Sequence, residues 1–438
     1  MGRDVHRREA PHPPSPNRSE SSMKRRLVIA VGAALPVSAC GFIGGGEDTD
    51  DGTLRFWLSG DANQGGGFQH MAEKYEEETG VKVQIDDVPY DDFDTRLRNA
   101  AQADGLPDLA RLTTIDPIWL NQLQDLKPIA EEAGIMEHLL VENGEGAIPT
   151  LPTDLTAVGL FINKSLFDEA GVAYPASADE IWTWDEFITA LEEVQTGTGA
   201  RYGMVMDASS HRLRSFMYQF GSDGFVKGDD CTFTTDDQAA TALEFFADIN
   251  DDKIMPRSVW VSGDDPNALF KSGQVAAYYS GSWQVADFNQ NITDFEWASV
   301  YMPAQERRAT NAGGGRMVAF NGAKAEAAYD FITWLFKSEN YIELSETSGF
   351  LPVIEGLDID YGDSQASFDV YNDEIANSDP ISSYQESSQL EMVYSGQTQT
   401  SEGDAVTDEA IKLANGEQDV PTTIQNILDT LNESLSCE

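Results

Sequence analysis

The chain has 438 residues, with 75 Asp and Glu against 28 Lys and Arg and a formal charge of −47 at pH 7. That length allows two or three domains around a large core, and so acidic a surface excludes nucleic acid and anionic lipid head groups as partners. Salt screens self-repulsion, so stability is expected to be higher in molar salt than in dilute buffer, as unfolding midpoints measured against NaCl concentration would register.

Residues 1–22 are rich in Pro, Arg and Ser and lack hydrophobic periodicity, as expected of an extension upstream of Met23. Met23-Lys24-Arg25-Arg26 is a basic n-region, and Leu27 to Pro36 is an apolar run too short to span a bilayer. Val37-Ser38-Ala39-Cys40-Gly41 then resembles a bacterial lipobox, which implies cleavage before Cys40 and a lipid on its sulfur. The competing reading is plain secretory cleavage after Ala39. Residues 40–52 form a Gly-rich acidic tether. Their acidic spacing does not fit a calcium loop, because Ser59 stands where a closing Glu is required. Cys231 and Cys437 remain. An extracytoplasmic setting permits a bridge between them, and the sequence leaves open whether they approach.

Thr53 to Leu58 reads as a strand, followed by a polar Gly-rich loop that carries Asp61. Phe68, Met71, Ala72 and Tyr75 have helical spacing, and Thr79-Gly80 ends that helix. Val81 to Ile85 is a strand, a second helix runs from Asp91 to Ala103, and Leu106 to Leu112 enters a third strand. Strand, helix, strand, helix, strand is an open α/β sheet, and ligands bind such sheets beyond the C-terminal strand ends. Asp61 lies beyond the first strand, and Asp116 and Trp119 beyond the third. Asp116 before Pro117 is also a good helix N-cap.

Ala157 to Lys164 reads as a buried strand, and Thr183 caps a helix with Phe187, Ile188, Leu191 and Val194 on one face. Arg201 to Met206 is a strand, His211 to Phe220 a helix, and Thr235 to Asn250 a long helix. Val275 to Tyr279 is a buried strand that ends in Ser280-Gly281-Ser282 and delivers Trp283 to a loop. Phe295 to Met302 is a strand closed by Pro303, Ala325 to Phe336 a helix, and two helices near 404–415 and 421–435 end the chain.

From Gly60-Asp61 to about Ala414 the order of segments resembles the extracellular solute-binding proteins of ABC importers, the family that includes maltose-binding protein. FWLSGD, EKYEEETGVKVQ, GLFINKSLFDEAGV, TWDEFITALEEV, ALFKSGQVAAYYSGSW, GGGRMVAF and TSGFLPV carry the resemblance together. It implies an α/β, two-lobed periplasmic-binding-protein fold of type II-like form, with lobes joined by a multi-crossover hinge. The implied division is 1–39 extension and signal peptide, 40–52 lipidated tether, 53–156 plus 303–352 N-lobe, and 157–302 plus 353–438 C-lobe. The chain would cross between lobes near 154–158, 301–304 and 350–356.

The resemblance also implies ligand contacts. Trp283 matches the family's sugar-stacking Trp, Asp61 its loop Asp, and Asp116 its cleft-facing Asp. Trp119, Asp154, Gly314 and Arg316 complete the expected ligand-binding set, with lipidation at Cys40. Departures at Ala62, Thr156 and 211–215 argue against maltose itself. Arg212, Arg214 and Arg316 fit either an acidic ligand or ion pairs.

The sequence therefore points to a lipid-anchored substrate-binding subunit that captures a sugar or oligosaccharide for ABC permease transmembrane subunits. It is expected to act as a monomer at the extracytoplasmic membrane face, held through Cys40. Gly313-Gly314-Gly315 lacks the Lys-Ser/Thr of a nucleotide loop, and neither a cofactor nor a metal is expected. G-x-S-x-G and H-E-x-x-H are absent. The alternatives are a secreted lipoprotein glycosidase and a binding protein for a non-sugar solute such as a phosphorylated polyol.

Overall fold

A computed structural model describes residues 52–60, 62–63, 65–397 and 404–437, apart from the side chains of Asp91, Ala312 and residues 382–386. The expected signal peptide, Cys40, most of the tether and Asp61 lie outside the described residues. The strands in chain order are β1 (Leu54–Ser59), β2 (Val83–Val88), β3 (Leu109–Leu112), β4 (Leu151–Pro152), β5 (Thr156–Asn163), β6 (Tyr202–Met206), β7 (Val226–Lys227), β8 (Phe233–Thr234), β9 (Val275–Gly281), β10 (Trp297–Val300), β11 (Ala312–Gly313) and β12 (Arg316–Ala319).

The first sheet has the order β2-β1-β3-β12-β4. β1 pairs in parallel with β2 and β3, and β12 runs antiparallel to β3. Alternation along β1 sorts its side chains between two faces. Leu54, Phe56 and Leu58 join a core with Phe68, Met71 and Phe331, while Trp57 joins Val88, Phe93 and Leu97 on the other face. Phe56 meets Phe68 edge-on at 5.6 Å and Phe331 at 6.0 Å. Burying each such ring contributes about 1.5–3 kcal/mol.

The second sheet has the order β10-β5-β9-β6, with β11 paired to β5. β9 is buried along its whole length and β5 everywhere but Thr156. Their near-continuous apolar sequence is that of strands covered on both faces. Helix Trp184–Thr198 begins with a capping box between Thr183 and Glu186, and its Trp184, Phe187, Leu191 and Val194 are buried. Helices Gln365–Asn377 and Ile381–Tyr394 were not anticipated.

Among the described residues, three passages join the two lobes. The first runs between β4 and β5. The second lies at Gly314-Gly315 rather than near 301–304, because Ala312 and Gly313 still pair with β5 while Arg316 and Met317 pair with β4. β10 ends at Val300, and the chain past Pro303 does not change lobe: Ala304 N–H donates to the Trp182 carbonyl and Thr310 Oγ1 to the Val158 carbonyl. The third passage falls between Ile354, in the first core, and Ile359, in the second. Leu155 and Leu351 exchange backbone hydrogen bonds of 2.9 and 3.2 Å, tying the first passage to the chain just before the third.

Cys231 and Cys437 form a disulfide, with Cα atoms 6.3 Å apart and a sequence separation of 206. It joins the β7–β8 hairpin to the end of the chain. The Asn432 side chain reinforces this by accepting from Phe233 N–H at 2.7 Å.

Candidate functional site

Between the lobes lies a cavity of about 320 Å3. Its walls are built by the ends of parallel strands and by the passages. From the first lobe come Ser59 and Gly60 at the end of β1, Ala62 just beyond, Tyr90 at the start of helix Tyr90–Gln102, and Arg111 and Thr113 from the end of β3. From the second come Asp207, Ala208, Ser209, His211 and Arg212, directly after β6, and Trp283, directly after β9. Thr156, Asn311, Gly313, Gly314 and Phe350 line it from the connecting segments.

Two guanidinium–carboxylate pairs organise these walls. Arg111 grips Asp154 bidentately, Nε to Oδ1 at 2.9 Å and Nη2 to Oδ2 at 2.6 Å. The pair is dry, with side-chain exposures of 6% and 0%. Gly315 N–H also donates to Asp154 Oδ2 at 3.2 Å, and Thr153 N–H donates to the Gly315 carbonyl at 2.8 Å. A side chain at Gly315 would collide with the Arg111 guanidinium, so the second passage needs glycine for this close approach.

Arg212 holds Asp207 through Nε at 2.9 Å and Nη2 at 2.6 Å, both on Oδ2. Ser280 Oγ donates to the same oxygen at 2.7 Å, and the Tyr278 hydroxyl donates to Oδ1. Burial first, and then the charge of Asp207, push the Tyr278 phenol well above its usual range, so it stays a donor. The Arg212 guanidinium lies over the Trp283 ring, 4.3 Å from its centroid. Gly281 lets the ring lie against the backbone; any side chain there would collide with it. Tyr90 is 52% exposed. Desolvation raises that phenol's pKa, while Thr113 and the Arg212 charge partly offset the rise.

Of the residues singled out in the sequence, Trp283, Gly314, Arg212, Ala62 and Thr156 line this cavity. Trp283 lies in the turn between β9 and helix Gln284–Asn291, as its N-cap residue. Asp116 does not line it. Its side chain caps the 3-10 helix Pro117–Gln122 by accepting from Ile118 N–H at 2.9 Å, and it accepts from Arg98 Nε at 2.8 Å. Trp119 is 1% exposed and packs edge-on against Phe320 at 6.1 Å, so it belongs to the core. Asp154 sits behind Arg111, its oxygens turned to the guanidinium and to Gly315. Arg316 points elsewhere, with Nη2 3.4 Å from the Leu139 carbonyl. Arg111, Asp207, Asn311 and Tyr90 were overlooked. The position of Asp207, one residue past a parallel strand, was the signal that could have found it.

The model of the bacterial extracellular solute-binding protein family matches residues 70–365. The arabinooligosaccharide-binding protein of Halalkalibacterium halodurans is 26% identical over 278 residues, 59% of this chain and 61% of that protein. The chain thus spans about three fifths of that relative. Among solved structures, Lmo0181 of Listeria monocytogenes, an ABC substrate-binding protein in complex with cycloalternan, is similar at a TM-score of 0.68 and 19% identity, covering 87% of this chain and 98% of that one. UgpB of Mycobacterium tuberculosis in complex with glycerophosphocholine is similar at a TM-score of 0.67 and 16% identity, covering 87% and 98%. These likenesses show the two-lobed fold.

Proposed function

The chain belongs to the bacterial extracellular solute-binding protein family, and from that premise we propose that it captures an oligosaccharide in the interlobe cavity and delivers it to the permease of an ABC importer. The observation that carries this reading is the cavity itself: it lies between lobes joined by three passages and is lined from both sides by an indole, a phenol and hydrogen-bonding groups. Sugars present apolar C–H faces and polar rims, which aromatic rings and directed donors recognise. The names of the relatives, an arabinooligosaccharide-binding protein and a protein holding cycloalternan, support a saccharide. Closure of the two lobes around the solute would be a hinge motion stabilised by contacts to both.

Anchoring through a lipid on Cys40 at the extracytoplasmic face is part of this proposal, supported by the signal-like segment before it. Capture rather than hydrolysis is also proposed. Asp207 accepts from Arg212, Ser280 and Tyr278, and a carboxylate so committed is poorly placed to exchange protons with a substrate.

A thermal-shift screen against neutral and acidic oligosaccharides, with product analysis, tests the reading: stabilisation without turnover is expected. Trp283→Ala is expected to raise the Kd of the stabilising ligand by roughly thirty-fold or more, the loss of about 2 kcal/mol typical of a buried aromatic anchor. Calorimetric titration measures it. An unchanged Kd would return Trp283 to a packing role, and product formation would replace capture with catalysis.

A further inference from the structure

We propose that the captured solute carries an oxyanion, most directly the carboxylate of an acidic saccharide, which docks on the remaining Nη N–H groups of the Arg212 guanidinium. This inference rests on the capture reading above and specifies its ligand class.

The first observation is a local balance of charge. In a chain with 75 acidic and 28 basic residues, the described lining of the cavity holds two arginines, Arg111 and Arg212, and one carboxylate, Asp207, with Asp154 behind Arg111. Carboxylates are the strong acceptors for sugar hydroxyls, and Asp207 already accepts from Tyr278, Ser280 and Arg212.

The second observation is the state of the two arginines. A guanidinium has five N–H donors in a rigid plane. In Arg212, Nε and Nη2 each give one to Asp207, and Nη1 gives one to Ser209 Oγ at 3.3 Å. Two N–H groups remain, one on each Nη. The Nη donors of a guanidinium suit the two oxygens of a carboxylate. Asp207, Ser209 and the Trp283 ring hold the plane from three directions, so the fork is fixed before any ligand arrives. Arg111 adds to this. Its side chain is 6% exposed, and Nε and Nη2 are spent on Asp154, while Nη1 has no hydrogen-bond partner among the described residues.

The third observation is the backbone field. Ser209, the N-cap of the ten-residue helix Ser210–Gln219, and His211 and Arg212 in its first turn all line the cavity, which faces them with the positive end of the helix dipole. Arg212 also rests on the Trp283 ring, which lines the same cavity. Anion recognition and indole packing thus occupy one spot.

The test is calorimetric titration of the full-length mature protein with matched pairs: digalacturonate against galactobiose, cellobiouronate against cellobiose, and glycerol 3-phosphate against glycerol. At least one acidic member is expected to bind ten-fold or more tightly than its neutral partner. The pair in which this occurs distinguishes a uronate from a phosphate. Arg212→Lys, which keeps the charge beside Asp207 but removes the planar fork, is expected to erase that preference. Arg212→Gln repeats the test without the charge, and melting curves for both variants establish that they are folded. Neutral members binding as tightly as acidic ones, or an acid preference that survives both substitutions, overturns this inference and leaves saccharide capture standing. If no polyhydroxylated solute binds at all, both fall.

Discussion

Asp154→Ala is expected to destabilise the protein by about 3–5 kcal/mol, because it leaves the Arg111 guanidinium buried without a counter-charge. Arg111 is 6% and Asp154 0% exposed at the side chain, so water cannot replace the missing partner. The same substitution deprives Gly315 N–H of its acceptor and loosens the contact between the first and second passages. Arg111→Ala strands the carboxylate instead and is expected to cost a similar amount. The double substitution is expected to cost less than the sum, since neither charge is then left alone. Urea unfolding of the four proteins, compared at unchanged m-value, measures this. A loss below about 1 kcal/mol for Asp154→Ala would mean that the pair is solvated after all. Asp116→Ala provides the contrast: it removes a helix cap and a pair to the more exposed Arg98, and about 1 kcal/mol is expected.

The second large effect is expected from the disulfide. Cys231→Ser, Cys437→Ser or reduction of the native protein should each lower stability by about 2–5 kcal/mol, near the upper end because the closed loop is long. The sequence separation is 206 residues. In the chain-entropy account, that link removes more freedom from the unfolded chain than a short loop would. The folded hairpin should survive better than the entropy loss implies, because Asn432 still accepts from Phe233 N–H. Thermal unfolding with and without reductant is the measurement. Identical midpoints would show that the link does not constrain the unfolded state.

The strands were the most legible part of the chain. β1, β5, β6 and β9 carry dense apolar runs of strand length bounded by polar or Gly residues, and they form the two sheets nearly as read. Helix ends marked by Thr183 and Thr79-Gly80 were equally plain, because caps are local chemistry. The second passage was misplaced because Pro303 signals a stop but not a destination. Only pairing with β5, about 150 residues earlier, keeps the following segment in its lobe. Helix Gln365–Asn377 was overlooked because few of its side chains are buried, chiefly Phe368 and Tyr371.

The site was harder to read for a related reason. Asp154 looked available because its partner, Arg111, lies 43 residues earlier on another strand. Trp119 looked like a pocket aromatic because its packing partner Phe320 comes from β12's far end. Trp283 was legible through its local turn, whereas the guanidinium resting on it comes from a helix 71 positions upstream. Charges and rings are cancelled or covered by tertiary neighbours, and a linear sequence does not say which.

The cystine also changes the covalent topology. Residues 231 to 437 form a closed ring, which leaves the second lobe at Gly314-Gly315, takes in β12 and helices Ala325–Leu335 and Ser338–Ser348 of the first, and returns between Ile354 and Ile359. Two of the three passages therefore belong to one loop without ends. A protease cut anywhere inside that loop opens it but frees no fragment until the sulfurs are reduced, so nicked and intact protein would migrate as one mass in a non-reducing gel under denaturing conditions.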